Sequence, residues 1–317
     1  MYNKKLVTVT VLMSSYNGEQ FIEEQIESIL NQEGVNVNLV IRDDGSSDST
    51  KIILNNYNKL NNVTVLFAEN IGVVGSFLYL IDNAPDSEYY SLADQDDIWH
   101  PDKLKKAVEM LSDCNNKTPL LYGANQNCVD KLKKFLNLHF EEDITYTLNI
   151  EHVLFRNLIA GCTMVFNKKL LDILKEEKES RNIAFNRMHD TWIMLVALIK
   201  GKVIYDHRPC MEYRRHGNNV TNGAIFEKKD KIKEYQIKIK NFLFNKNNKK
   251  IVSNTAMILL NCYRNILLEK DKENIKILAS YRNNILSKIK FLFNNKLLKI
   301  SPDDKFVTYA KIIFNKY

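Results

Sequence analysis

Through the first 120 residues, four apolar runs of strand length alternate with helix-period patterns, and three of the runs end in a polar, turn-forming cluster. Residues 6–13 are a near-continuous β-branched and aliphatic run, as in a strand buried on both faces. Ser14, Ser15, Tyr16, Asn17 and Gly18 break it, and Phe21, Ile22, Gln25, Ile26, Ile29 and Leu30 then recur at helical spacing. Residues 35–41 read as a second strand, ending at Asp43, Asp44, Gly45, Ser46, Ser47 and Asp48. Ser47 or Asp48 is placed to cap a helix with Ile52, Ile53 and Tyr57 on one face. Residues 63–68 read as a third strand and 73–81 as a helix. Residues 89–93 form a fourth strand, stopping at Asp94, Gln95, Asp96 and Asp97. Pro101 stands near the start of an amphipathic helix carrying Leu104, Ala107, Val108 and Leu111. This rhythm predicts an α/β fold with a mostly parallel sheet and right-handed crossovers. Ligands bind such sheets at the carboxyl ends of the strands, so three clusters converging there weigh more than any one alone.

Beyond residue 123 the pattern loosens. Residues 131–147 read as an excursion of mixed character, and Gly161, Cys162 and Thr163 precede a short apolar run at 164–166. Residues 190–199 are helical and apolar, 202–205 are strand-like, and 213–219 are polar and turn-forming. Lys- and Asn-rich helical segments follow from Glu227 to the end. Charge divides the chain near the same place. Residues 224–317 carry 21 Lys and Arg against 8 Asp and Glu, whereas the first 223 carry 24 against 30. Two units are expected: an acidic one, 1–223, that carries the chemistry, and a helical basic one, 224–317, suited to an anionic surface. The five Cys form no C-x-x-C pair, which argues for a reducing compartment and against a disulfide framework. No signal-peptide pattern opens the sequence, and no apolar stretch approaches the ~18–20 residues of a membrane span. A soluble, cytoplasmic protein is expected.

Asp94 and Asp96, with Asp97 adjacent, are the densest carboxylate group, and hard oxygen ligands of this kind suit Mg²⁺ or Mn²⁺ beside a substrate phosphate. A solvated loop capping the next helix is the plain alternative. Asp43 and Asp44 could be only a turn, or a carboxylate there could accept the imide N–H of a uracil or thymine ring, with Ser14, Tyr16 and Asn17 flanking the base and ribose. Other chemistries lack their parts. The chain has no G-x-x-x-x-G-K-[ST] loop, no G-x-G-x-x-G after the first strand and no G-x-S-x-G elbow. His189, His207 and His216 lack the i, i+4 spacing of a helical zinc pair.

In order and spacing, the three clusters resemble inverting family-2 glycosyltransferases with the GT-A fold. Ser14-Ser15-Tyr16-Asn17-Gly18-Glu19 is similar to that family's nucleotide-binding start, and Asp43-Asp44-Gly45-Ser46-x-Asp48 to its second element. Leu92-Ala93-Asp94-Gln95-Asp96-Asp97-Ile98-Trp99 resembles the metal motif of rhamnosyltransferases that build bacterial cell-surface polysaccharides. His189-Asp190-x-Trp192 resembles the general-base element, with His189 where the family often has Glu, and Tyr213-Arg214-x-His216-Gly217-x-Asn219 resembles an element near the diphosphate and metal. Together they span roughly residues 5–223.

The resemblance implies roles residue by residue. Asp190 is the catalytic base, unless it only caps its helix. Ser14, Tyr16, Asn17, Glu19, Asp44 and Asp94 bind the nucleotide, and Asp94, Asp96 and His216 hold Mg²⁺ or Mn²⁺. Asp97, Trp99, Cys162, Thr163, His189, Trp192 and Arg214 line the diphosphate or acceptor, although either Trp could be core and Cys162 is read as a small buried residue rather than a nucleophile. The implied donor is a nucleoside-diphosphate sugar, dTDP-L-rhamnose favoured over a UDP-hexose, and the acceptor is a hydroxyl of a lipid-linked glycan. A non-catalytic sugar-nucleotide or glycan-binding module of the same fold is the rival from another class. In the basic region, Lys228, Lys229, Lys231, Lys233, Lys238 and Lys240 interleave with Ile and Phe, and Ile285, Ile289, Phe291 and Phe293 alternate with Lys288, Lys290 and Lys296. Such a region could lie on the anionic inner face of the cell membrane, pack on the catalytic unit, or join two copies in a homo-oligomer. No nucleic-acid-binding motif accompanies the charge.

Overall fold

The computed structural model describes residues 6–115, 117–217, 250–303 and 305–317. The first half alternates as its hydrophobic periods require: β1 Thr8–Ser15, α1 Ile22–Leu30, β2 Asn36–Asp43, α2 Thr50–Tyr57, β3 Val63–Phe67, α3 Gly72–Asp82, β4 Tyr89–Ala93. A two-residue β5, Ile98–Trp99, precedes α4, Lys103–Ser112. The order β3-β2-β1-β4 is parallel throughout. In β1, Val9, Val11 and Met13 enter one core and Leu12 the other, the period-2 alternation of a sheet covered on both faces. In α2, Ile53 and Tyr57 pack against the core as expected, whereas Ile52 is exposed and Leu54 is the fully buried residue.

The second half is more regular than its sequence. β6 (Leu120–Asp130) turns into β7 (Phe135–Leu138), and β8 (Val165–Asn167) lies antiparallel between β4 and β6. The expected four-residue strand at 202 is β9, Lys202–Arg215, running parallel to β6. Residues 213–215 therefore lie in a strand and not in a turn. The described residues make a nine-stranded sheet. Helices α5 (Ile150–Phe155), α6 (Lys168–Glu176), α7 (Asn182–Asn186) and α8 (His189–Lys200) cover the face that holds Leu12, Tyr90 and Leu92.

Helices α9 (Ile251–Tyr263), α10 (Glu269–Ser280), α11 (Ile285–Leu292), α12 (Asn295–Ile300) and α13 (Lys305–Ile313) follow. Ala256, Leu259, Ile275, Tyr281, Phe291 and Ile312 are buried and continue the core of α5, α6 and α8. Glu151 of α5 ties this layer down by accepting from Asn274 at 3.0 Å and Lys296 at 2.6 Å. The expected boundary at 223 and the lysines from 228 to 240 lie outside the described residues. No described helix is long and apolar enough to cross a membrane. All five cysteines are free thiols.

Candidate active site

Hydrogen bonds join the loops after β1, β2 and β4 into one edge. Gln95 exchanges two with Tyr16: Tyr16 N–H donates to Gln95 Oε1 at 2.8 Å, and Gln95 Nε2 donates to the Tyr16 carbonyl at 3.0 Å. Asn17 N–H donates to Ser46 Oγ at 2.9 Å, and Asn17 Oδ1 accepts from Ser47 N–H at 2.8 Å. Glu19 N–H donates to Asp48 Oδ2, while Glu19 Oε2 accepts from Ser49 N–H just ahead of α2. A Cβ at Gly18 would stand 2.4 Å from Gln95 Oε1, so a larger residue there would push the glutamine amide off its bonds to Tyr16. Tyr16 stays half exposed and Ser14 Oγ donates to Ser76 Oγ at 2.7 Å.

Asp44 takes a different place from the one expected. It is 2% exposed, pairs with buried Arg42, and accepts the N–H groups of Ile71 and Gly72 at 2.9 Å each. Its carboxylate closes the start of α3 instead of facing a base. Asp44→Ala would leave the Arg42 guanidinium buried without its counter-charge, a cost of ~3–5 kcal/mol. Chemical denaturation should show that loss; unchanged stability with a raised donor KM would return Asp44 to base binding.

The loop after β4 gathers the acids. One ligand atom each from Asp94, Asp97 and Cys162 lie within 4.8 Å of one another, and His216 Nε2 lies 2.8 Å from Asp96 Oδ2. Burial, and then the charges of Asp96 and Asp190, push Asp94 up to about 7. Burial and the neighbouring acids raise Asp97 well above the carboxylate range, and burial raises Asp96 against the pull of His216. Asp97 Oδ1 accepts from Arg214 N–H at 3.1 Å, while its buried Oδ2 has no hydrogen-bond partner among the described residues. Crowded carboxyls and an orphaned buried oxygen fit a hard divalent cation such as Mg²⁺ or Mn²⁺. The Cys162 thiol, pushed well up by burial and by Asp97 and Asp94, stays neutral and suits such an ion poorly. Of the set expected from sequence, Asp94 stands in this cluster beside Asp97, whereas Asp96 and His216 are paired with each other next to it.

The raised Asp94 has a stability consequence. While protonated in both folded and unfolded states it costs nothing, and the native state is penalised progressively as pH rises from about 4 to about 7. In metal-free buffer, the melting temperature of Asp94→Asn should therefore rise relative to the wild type between about pH 4 and about pH 7 and keep that gain above it. Parallel curves for the two proteins would refute the crowding.

Four further expectations are corrected. Arg214 is 2% exposed and committed to structure: Nη2 meets Glu24 at 2.6 Å, Nε donates to the Asp96 carbonyl at 2.9 Å, and the guanidinium lies 4.5 Å from the Phe21 ring centre. It braces the acidic loop from behind. Trp192 is fully buried with Nε1 donating to Ser180 Oγ, so it offers no wall to an acceptor. Trp99, in β5, is likewise core, with the Lys103 ammonium 3.0 Å from its ring centre. Thr163 is also buried, its hydroxyl donating to the Ala160 carbonyl.

Asp190 opens α8 facing this cluster. Its Oδ1 accepts from Thr191 N–H and its Oδ2 from Asn157 Nδ2, both at 2.6 Å. His189 is buried and stacked on Phe77 at 4.0 Å between ring centres. Desolvation lowers its pKa, which leaves a neutral ring. Gly161 lets the two elements approach, since a Cβ there would meet His189 Nε2 at 3.0 Å and Asp190 Cβ at 3.4 Å. Sequence reasoning missed Gln95, Asn157, Glu24 and Lys103. Lys103 is fully buried, donates to the Cys162 carbonyl at 2.7 Å, and is lowered to about 8 by desolvation. Its only signal was a lysine in the first turn of a helix whose other inward positions are apolar.

A mixed α/β sheet thus carries a cluster of acids and a held carboxylate at the carboxyl edge of its parallel strands, and comparison with known proteins gives the class. Residues 10–170 match the model of glycosyl transferase family 2. The chain belongs to that family and is an enzyme of the glycosyltransferase class. It is 29% identical over 228 residues to the dTDP-rhamnosyl transferase RfbG of Shigella flexneri, covering 67% of this chain and 74% of that one. It is 27% identical over 240 residues to an uncharacterised glycosyltransferase of Rickettsia typhi, covering 74% and 71%. Among solved structures it superposes on S. aureus TarS 1–349 in complex with UDP-GlcNAc with a TM-score of 0.57 at 17% identity, over 98% of this chain and 82% of that one. The fold is GT-A, with the C-terminal helices added to it.

Proposed function

We propose that this chain is a metal-dependent, inverting glycosyltransferase that moves L-rhamnose from dTDP-L-rhamnose to a hydroxyl of a bacterial surface-glycan precursor. The observation that carries the reading is Asp190, held by both oxygens and close enough to the acid cluster for its charge to raise Asp94. Asp190 takes the acceptor hydroxyl's proton as that oxygen attacks the anomeric carbon. The bond from that carbon to the diphosphate oxygen breaks, and its electron pair leaves with the diphosphate. Asp94, Asp96 and Asp97 would hold Mg²⁺ or Mn²⁺, which when bound neutralises charge developing on the leaving group. Cys162 is a neutral buried thiol, so one displacement with one base is the route the residues support. Rhamnose is favoured because the Shigella relative is named a dTDP-rhamnosyl transferase. Residues 1–223 serve as the catalytic unit and 224–317 as a basic attachment that keeps the enzyme on the cytoplasmic membrane face, where a lipid-linked acceptor would stand.

The test is melting temperature with Mn²⁺ and a panel of sugar nucleotides, followed by the product's anomeric configuration by NMR. dTDP-L-rhamnose should stabilise most, since a ligand that binds only the native state raises its melting temperature. Stronger stabilisation by a UDP-hexose would move the donor assignment, and a retained anomer would remove the single displacement.

A further inference from the structure

The lysine-rich stripe at residues 285–293 divides in the structure. Phe291 turns inward, fully buried, with its ring centre 5.3 Å from that of Tyr281 and 6.4 Å from that of Phe155. Ile285, Leu286, Ile289 and Phe293 turn outward, exposed at 68%, 67%, 45% and 80%. At about 100° per residue these four fall within an arc of about 100°, and Lys288 and Lys290 stand on its two borders. Residues 283–301 contain four lysines and no Asp or Glu. Lys288 reaches across to the Ile313 carbonyl at 3.3 Å, so the end of α13, with Ile313 half exposed, extends the apolar surface. Lys290 pairs with Glu273 at 3.8 Å on the exposed surface.

We infer that the outer face of α11, extended by the end of α13, docks on an anionic lipid bilayer. Isoleucine, leucine and phenylalanine enter the boundary between headgroups and acyl chains, and the bordering lysines meet the lipid phosphates. An apolar arc edged by lysines on a helix lying along the surface is the pattern of an interfacial helix. Charge complementarity selects this occupant, because Lys288 and Lys290 edge the arc in a stretch with no acid, Lys296 being taken by Glu151, and such an edge matches a sheet of negative headgroups. The inner face of the same helix rests on Phe155, two residues before the Asn157 that holds Asp190. Docking through α11 therefore ties the membrane contact to the segment that places the base. The inference rests on the reading that the acceptor is lipid-linked, and it sharpens that reading to a surface.

Flotation of the full-length chain tests it, with phosphatidylcholine vesicles with and without phosphatidylglycerol, at low and high salt. The wild type should float only with phosphatidylglycerol and at low salt. Ile289→Glu with Phe293→Ser should cut the floating fraction at least about tenfold, and Lys288→Gln with Lys290→Gln should abolish the preference for phosphatidylglycerol. All these side chains are on the surface, so both variants should keep the wild-type melting temperature and donor hydrolysis. The inference is overturned if the wild type stays down with phosphatidylglycerol at low salt. It is equally overturned if the first variant floats like the wild type, which would move the contact elsewhere, residues 218–249 included. Light scattering that shows a dimer lost in the first variant, with flotation unchanged, would make the face a contact between copies instead. Flotation as expected with no sugar transfer to any acceptor would overturn the glycosyltransferase reading and leave the docking surface standing.

Discussion

Asp190→Asn is expected to lower kcat by ~10²–10⁴-fold while donor binding survives. Asparagine keeps the size of the side chain and can still accept from Thr191 N–H, so α8 should start as before. Asn157 now donates to Asp190 Oδ2 and can turn its own amide to accept from the new one. What disappears is the capacity to take a proton from the acceptor hydroxyl. Calorimetric binding of dTDP and steady-state rates separate the two effects. Near-normal turnover in Asp190→Asn together with a dead His189→Ala would transfer the role to His189. The structure argues against that outcome, because the His189 ring is buried, stacked on Phe77 and kept neutral by desolvation.

Asp96→Ala should abolish turnover, and Asp94→Ala should reduce it by at least ~10³-fold, because several kcal/mol of charge stabilisation on the leaving diphosphate depend on the ion these acids would hold. The fold should survive either change. The Asp96 backbone carbonyl still accepts from Arg214 Nε, and Asp97 still accepts from Arg214 N–H. Loss of a desolvated like charge should also relax the remaining acids. Mn²⁺ binding followed by electron paramagnetic resonance gives a readout apart from turnover, and both variants should bind the ion more weakly than wild type. Full activity of a metal-stripped enzyme in EDTA would remove the metal role.

The front half of the fold was legible because its signals are local. A strand, the turn that ends it and the helix after it are consecutive in the chain, so the clusters at 14–19, 43–48 and 94–97 had to stand at the ends of β1, β2 and β4. Parallel order then brought them to one edge. The long strand β6 and all but the first residues of β9 were not legible, since their pairing joins residues about 85 apart and neither shows strict alternation. Arg214 shows the same limit at one side chain. In the sequence it sits between polar neighbours like a phosphate ligand, whereas the partners that claim it, Glu24 and the Asp96 carbonyl, lie 190 and 118 residues away.

The residue types of the site, their order and the edge they share were written in the sequence, because apolar period and turn chemistry act within a few residues. Which of those side chains face a ligand was decided by packing. Asp44 is enclosed by Arg42 and the start of α3, Trp192 is sunk in the core, and Asp97 is left with an oxygen that no described residue satisfies. Packing also divided Phe291 from Phe293, two residues apart, placing one inside and one on the surface. Periodicity shows that a helix has two faces; the neighbouring elements that meet it determine which face is covered.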